Sequence, residues 1–371
     1  MPADPFTAIG LQEMEDRRWI MEWLREQDPD RLAWLWRRAD TVRKEFVGDE
    51  VHLRGLIEIS NSCVRQCAYC GLRAGNARIE RYRMSAEEIL ACVAEAHRLG
   101  LGTVVLQSAE DYGLTTEWVA SLVGRIKAET PLAVTLSLGE RPESDLAAWR
   151  EAGADRYFLR FETSDMWLYR SIHPSSPSRG PSNRIDLLRT LQKLGYQTGS
   201  GIMIGIPGQS HDSLVEDILL FRSLDLDMVG VGPYLPNPDT PMGCGEWKSW
   251  LSPDQQVPNS ETMTCKVLAL TRLCCPEVNM PSTTALATIN AAKGYEHGLS
   301  RGANVVMPNL TPFQYREKYE IYPKPQSESD ASSTVEKIRS RIESIERTVG
   351  RGTGCRVRRP VSPETSTWRT A

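Results

Sequence analysis

The sequence predicts a (β/α)8 barrel carrying N-terminal helices and a C-terminal extension. Short β-rich runs alternate with amphipathic helical stretches eight times, and parallel neighbours of this kind need crossover connections. The chain is 371 residues long, enough for a barrel of about 250 residues plus terminal additions. The expected strands lie near 52–60, 102–107, 132–138, 155–161, 197–205, 227–232, 278–284 and 303–308.

Ahead of the barrel, Trp19, Ile20, Trp23, Leu24, Leu32, Leu35 and Trp36 recur at steps of three and four, which reads as two packing helices within 10–47. Ser85 and Glu88 make a capping box that opens a helix through His97, closed by Gly100. Asn183 opens a second such helix, which ends at Gly195. The region from 240 to 260 is long and irregular. The expected division is a helical extension over 1–49, a barrel over 50–324, and a C-terminal helix and tail over 325–371. From 350 onward, Arg, Ser, Thr and Pro dominate, the composition of a disordered tail.

The charge balance is close to neutral, with 44 basic and 48 acidic residues, so no nucleic-acid partner is implied. No apolar run approaches the length of a membrane span, and Met1 to Phe6 lacks the profile of a signal peptide. The cytoplasm is the expected compartment.

Barrels of this type gather their chemistry at the C-terminal ends of the strands. After the first expected strand come Cys63, Cys67 and Cys70; after the second, Gln107 to Asp111; after the third, Thr135, Ser137 and Glu140. The fourth ends in Arg160-Phe161-Glu162-Thr163, the fifth in Met203 to Gln209, the seventh in Thr283-Thr284, the eighth in Asn309. Any one of these polar residues could simply be a turn or a cap. Their convergence on one face is what marks a site.

Three cysteines spaced C-x3-C-x2-C can hold three irons of a 4Fe-4S cluster and leave the fourth without a protein ligand, as a catalytic zinc site keeps one position open. A zinc knuckle would need a fourth ligand nearby. His52 precedes the strand, and Cys92 sits in a helical pattern as a small buried residue. Nine cysteines without a secretory signal do not read as a disulfide framework. The five histidines form no metal-ligand pair. Gly199, Gly201 and Gly205 miss the dinucleotide-loop spacing and lie within a strand pattern.

The cysteine spacing, with Tyr69 before the last cysteine, resembles the signature of the radical S-adenosylmethionine (SAM) enzymes. From about Glu50 to Lys324 the chain resembles one family among them, HydE, the maturase of the iron-only hydrogenase H-cluster. The resemblance rests on Cys67 to Arg73, Glu80 to Met84, Val105 to Ser108, Val134 to Glu140, Ala152 to Tyr157, Gly205 to Gln209, Asp239 to Pro241 and Gly302 to Asn309. It implies one 4Fe-4S cluster on the three cysteines, whose open iron chelates SAM and whose electron breaks the sulfonium. It further implies that Tyr69, Ser137, Glu162 and Arg184 contact SAM, and that Gln107, Thr135, Arg156, Arg160, Met203, Thr283, Thr284 and Tyr315 line the substrate cavity. The implied substrate is a cysteine-bound iron carrying carbon monoxide and cyanide, with HydG and HydF as partner maturases and a low-potential electron donor.

Phe161 and Asn237 stand where that family has histidines, and Ala109 where it has glycine, changes expected at the cavity rim. The C-terminal cysteines of an accessory cluster are missing from 325–342, and Cys355 stands alone, so no accessory cluster is expected. Two other readings are a radical SAM mutase of an amino acid, similar to methylornithine synthase, and a non-catalytic iron-sulfur scaffold.

Overall fold

In the computed structural model the described residues are 5–175, 182–323 and 330–358, with 5–14 as backbone only. Helices Pro5–Arg25 and Pro29–Val47 form the N-terminal extension. Asp28 caps the second by accepting from the amides of Asp30 and Arg31, and Pro29 fills a first-turn position that needs no N–H. Trp23 stacks on Trp34 at 5.3 Å between them. The Lys266 ammonium, on helix Glu261–Cys274, donates to the carbonyls of Leu24 and Glu26 at the end of the first helix.

The parallel strands β1 (Glu50–Ser60), β2 (Thr103–Ser108), β3 (Ala133–Ser137), β4 (Arg156–Phe158), β5 (Gln197–Ile204) and β6 (Met228–Pro233) pair in chain order, and β7 (Val305–Val306) pairs with β1. The seventh expected strand, 278–284, is not a continuous strand. It is reduced to single bridges, Asn279 to Met228 and Pro281 to Val305, which close the ring between β6 and β7. The capping box of helix Ala86–Arg98 is formed in both directions.

Register fixes which side chains enter the barrel. Arg54 pairs with Thr103, Glu58 with Gln107, Gln107 with Ser137, Thr135 with Arg156, and Arg156 with Gln197. Because side chains alternate along a strand, three inward layers follow. The lowest holds Arg54, Thr103, Arg156, Gln197 and Met228. In the middle layer the Phe158 ring lies over the glycines of β5 and β6: a Cβ at Gly199 would stand 2.5 Å from the ring, and one at Gly230 3.1 Å. The upper layer carries Glu58, Gln107, Ser137, Arg160, Met203 and Thr283, and opens toward the cysteine loop.

Two expectations fail at the lower end. Arg156 does not reach the substrate cavity; it is wholly buried at the start of β4, bonded to Gln197 Oε1 (2.8 Å), Thr103 Oγ1 (3.0 Å) and Thr353 O (2.9 Å). The tail is not disordered from 350 either. Helix Ala331–Glu343 leads into β8 (Thr348–Val349), which pairs with β1, and residues 350–358 then cross the foot of the barrel. Gly350 N donates to Val51 O, and Gly354 O accepts from Arg54 and Asn279. The remainder of the expected tail, 359–371, lies outside the described residues.

Arg156→Met should therefore act on stability. Loss of a buried guanidinium with several hydrogen bonds costs about 3 kcal/mol, to be read as a lower urea midpoint in equilibrium unfolding.

Candidate active site

The loop leaving β1 at its C-terminal end has no regular structure between Asn61 and Arg81 apart from turns, so its backbone groups need other partners. Arg81 supplies them: Nη1 donates to the carbonyls of Asn61 (2.6 Å) and Leu72 (2.8 Å), and Nη2 to those of Arg73 (2.8 Å) and Asn76 (3.3 Å). From the other side, Gly71 N donates to Ile321 O, and Asn237 Nδ2 reaches the same carbonyl. This frame holds Cys63, Cys67 and Cys70, all free thiols.

Burial raises all three thiols above their ordinary range, Cys67 to about 12; Cys63 adds to the shift at Cys67, and both add to it at Cys70. Arg184 and Arg65 act in the opposite direction on Cys67, and Arg81 on Cys63. Such a site takes thiolates only with a metal to displace the protons. Among the described residues no three His, Cys, Asp or Glu side chains converge on a single-ion point. Ligands that each bind a different iron need not converge in that way, so a cluster fits this donor set where one zinc ion does not.

Beside the loop runs an alternating charge network. Arg65 Nε binds Glu110 Oε1 (2.7 Å) and its Nη2 binds Glu140 Oε2 (3.0 Å); Glu140 Oε1 accepts from Arg184 Nε (2.8 Å) and Ser182 Oγ (2.6 Å). Burial works against the Glu140 charge, but Arg184 and Arg65 outweigh it and hold the carboxyl below its usual range. Arg184, at the start of helix Arg184–Lys193, also donates through Nη1 to Arg160 O (2.7 Å).

Glu162 is the strained point. Its φ is +65°, and Thr163 N bonds back to Phe161 O at 2.8 Å, the pattern of a γ-turn centred on a non-glycine residue. The turn aims a buried carboxylate at the cysteine loop. Arg160 Nε lies 3.0 Å from both of its oxygens, and Tyr69 Oη 3.4 Å from Oε1. Tyr69 Oη is also 2.9 Å from His173 Nε2. Burial, with Glu162 adding to it, holds Tyr69 neutral, and burial with Arg184 keeps His173 uncharged at neutral pH.

The turn is braced from behind. Asp217, buried on helix His211–Ser223, accepts from Ser164 N (2.5 Å) and Ser164 Oγ (2.6 Å). Burial pushes its carboxyl up to about 7.

Of the other expected residues, Ser137, Gln107, Arg160, Met203 and Thr283 share the upper inward layer, and Thr135 lies one layer lower with its buried Oγ1 unpartnered. Thr283 caps helix Thr284–Ile289, and Thr284 is that helix's first residue. Tyr315 does not line the chamber: its hydroxyl donates to Glu88 Oε1 (2.6 Å), on the capping box of an outer helix. In its place Tyr319, buried, accepts from Gln107 Nε2 (3.3 Å), and Tyr322 interacts with Arg160 and Glu58. Both tyrosines lay four and seven residues beyond the expected one, past the end of the short helix Phe313–Arg316 that carries it. Phe161 and Asn237 are not rim residues. Phe161 packs on Phe221 in the helix layer at 5.4 Å, and Asn237 builds the turn against Ile321.

Residues 57–221 match the family described as the Radical SAM superfamily. The chain is 44% identical over 317 residues to the [FeFe] hydrogenase maturase subunit HydE of Thermotoga maritima, covering 84% of this chain and 86% of that one. It is 29% identical to the 3-methylornithine synthase of Methanosarcina acetivorans, over 79% of this chain and 78% of that one. Its fold superposes on the crystal structure of methylornithine synthase (PylB) with a TM-score of 0.76 at 24% identity, covering 90% and 94% of the two chains. The corresponding values for the hydrogenase maturase HydG are 0.70 and 18%, covering 90% and 75%.

Replacing Cys63, Cys67 or Cys70 by alanine should abolish cluster assembly after anaerobic reconstitution, measured as iron per chain and visible absorbance, whereas Cys92→Ala should retain it. Asp217 supplies a pH test. Its folded-state pKa lies above the ordinary unfolded value of about 3.9, so the folded chain binds the extra proton and stability falls as pH rises from about 4 through 7. Thermal melts between pH 5 and 8 should show this loss in the native protein and less of it in Asp217→Asn.

Proposed function

The chain belongs to the HydE family of radical SAM enzymes, and from that premise we propose that it acts in maturation of the [FeFe] hydrogenase active-site cluster, with SAM seated across the open end of the barrel. Cys63, Cys67 and Cys70 would hold a 4Fe-4S cluster, which would supply an iron without a protein ligand for SAM and the electron for its reductive cleavage. The observation that carries this reading is the Glu162 γ-turn facing the cysteine loop. A carboxylate held there by strain and by Arg160 is preorganised to accept hydrogen bonds from a ribose or an ammonium.

Tyr69 and Ser137 flank the same space, and Arg184 offers a fixed cation beside the loop for a carboxylate. Below them Arg160, Gln107, Met203, Thr283, Tyr319 and Tyr322 bound the chamber, with Phe158 as its floor. A substrate that is a cysteine-bound iron carrying carbon monoxide and cyanide is anionic, and Arg160 is the cation placed to receive it.

We place HydG and HydF as the partner maturases and a low-potential carrier as the electron source. A single cluster is proposed, since the one cysteine in 330–358, Cys355, packs at the opposite end of the barrel. No helix among the described residues is long and apolar enough to cross a membrane, and a site dependent on reduced thiols suits the cytoplasm.

Charge-assisted bonds of about 1.5 to 3 kcal/mol set the expected effect of Glu162→Gln and Arg184→Ala: each should weaken SAM binding by about tenfold or more with the cluster still assembled, as measured by equilibrium dialysis. Unchanged affinity in both removes them from the site. For the reaction, the protein should replace HydE in an extract containing the other two maturases and apo-hydrogenase. Hydrogen evolution should appear, vanish in Cys67→Ala, and fall in Arg160→Leu, which also removes the partner that holds Glu162. Efficient SAM cleavage without hydrogen evolution would favour a different substrate.

A further inference from the structure

At the foot of the barrel, away from the chamber, two guanidinium groups are buried with no carboxylate among the described residues to balance them. Arg54 Nη1 lies 2.9 Å from Met228 Sδ, Nη2 donates to Gly354 O (3.0 Å), and its buried Nε has no partner. Arg156 spends its donors on Gln197, Thr103 and Thr353, all neutral. The nearby carboxylates are already engaged: Asp225, Asp227 and Glu277 pair with Arg356, and the first two also with Arg358. His52, packed against Gly350 and Gly354, stays uncharged because burial and these same arginines lower its pKa. Two buried cations without a counter-ion are costly.

Among the described residues, one group in reach can supply the negative charge. Arg156 Nη2 lies 3.1 Å from Cys355 Sγ, and Thr353 Oγ1 lies 3.2 Å from the same sulfur. Burial of the sulfur opposes its ionisation, but Thr353 and Arg156 outweigh it and hold the thiol below its ordinary range. Burial and Arg156 together lower Arg54 to about 9, while Cys355 acts in the opposite direction. Residue 355 is nevertheless exposed. A thiol that is exposed, in contact with an arginine and unneeded by the chemistry at the other end of the barrel has the setting of a reactive cysteine.

We propose that Cys355 is a modification site: a solvent-exposed thiol, in contact with Arg156 and Thr353, that exchanges through its thiolate with low-molecular-weight disulfides. Its sulfur attacks one sulfur of R–S–S–R. The new S–S bond forms as the old one breaks, and RS⁻ leaves with the electron pair and takes a proton from water. The mixed disulfide cannot ionise at that sulfur, so the two arginines lose the group that can supply their negative charge. The strap 350–358, which ties the starts of β1, β2 and β4 together, loosens.

The test uses the full-length, anaerobically reconstituted protein and iodoacetamide, with Cys244, also exposed, as internal reference. Cys355 should be alkylated about tenfold faster than Cys244 at pH 7, since Arg156 and Thr353 contact its sulfur and the thiolate is the reacting form. Oxidised glutathione should form its first mixed disulfide at Cys355 and lower the melting temperature. Thr353→Val and Arg156→Met should each bring the Cys355 rate toward that of Cys244. Alkylation of native Cys355 no faster than Cys244 overturns the proposal, whatever the variants do.

Discussion

Arg81 holds the cysteine loop together. A segment of some twenty residues without helix or strand leaves carbonyls that must find donors, and this one guanidinium serves four of them. The loop's shape is therefore held by protein groups as well as by its turns. It sets three thiols at the barrel mouth, and its positive charge favours thiolate at Cys63. Everything assigned to the upper end of the barrel depends on that shape, because the cysteines, Tyr69 and the contact with Ile321 all ride on it.

Opposite the loop, the wall is made rigid by strain held from behind. Glu162 occupies a backbone region that side chains avoid, and the conformation persists because Gly201 and Met203 pin its backbone while Asp217 grips Ser164. A relaxed turn would let the carboxylate swing away from the loop. Asp217 exacts a stability cost at neutral pH, since a buried carboxyl with a pKa near 7 is half ionised there. A stabilising replacement at that position should therefore be judged by what it does to the turn as well as by the melting temperature.

The alternation of strands and helices, the two N-terminal helices and the capping box were all legible from periodicity and turn chemistry. So was the convergence of polar residues on one face. What escaped was register. Arg156 and Arg160 both point inward, yet four residues of strand separate them by about 13 Å, which puts one at the foot and the other at the mouth. The same two-residue period turns Phe161 outward between two inward neighbours. Tyr315 and Tyr319 share a segment, and only the packing of that segment on Gln107 decides which one enters the chamber. The order in 350–358 could not be read from composition, because it comes from backbone carbonyls of Thr353 and Gly354 satisfying arginines on distant strands.

The central claim is that three protein thiolates leave one iron free for SAM. It is tested most directly by electron-nuclear double resonance on the reduced, reconstituted protein with SAM labelled in its amino nitrogen and carboxylate oxygens. The account predicts hyperfine coupling from both labels to the cluster spin. A SAM-bound sample in which neither label couples would contradict it.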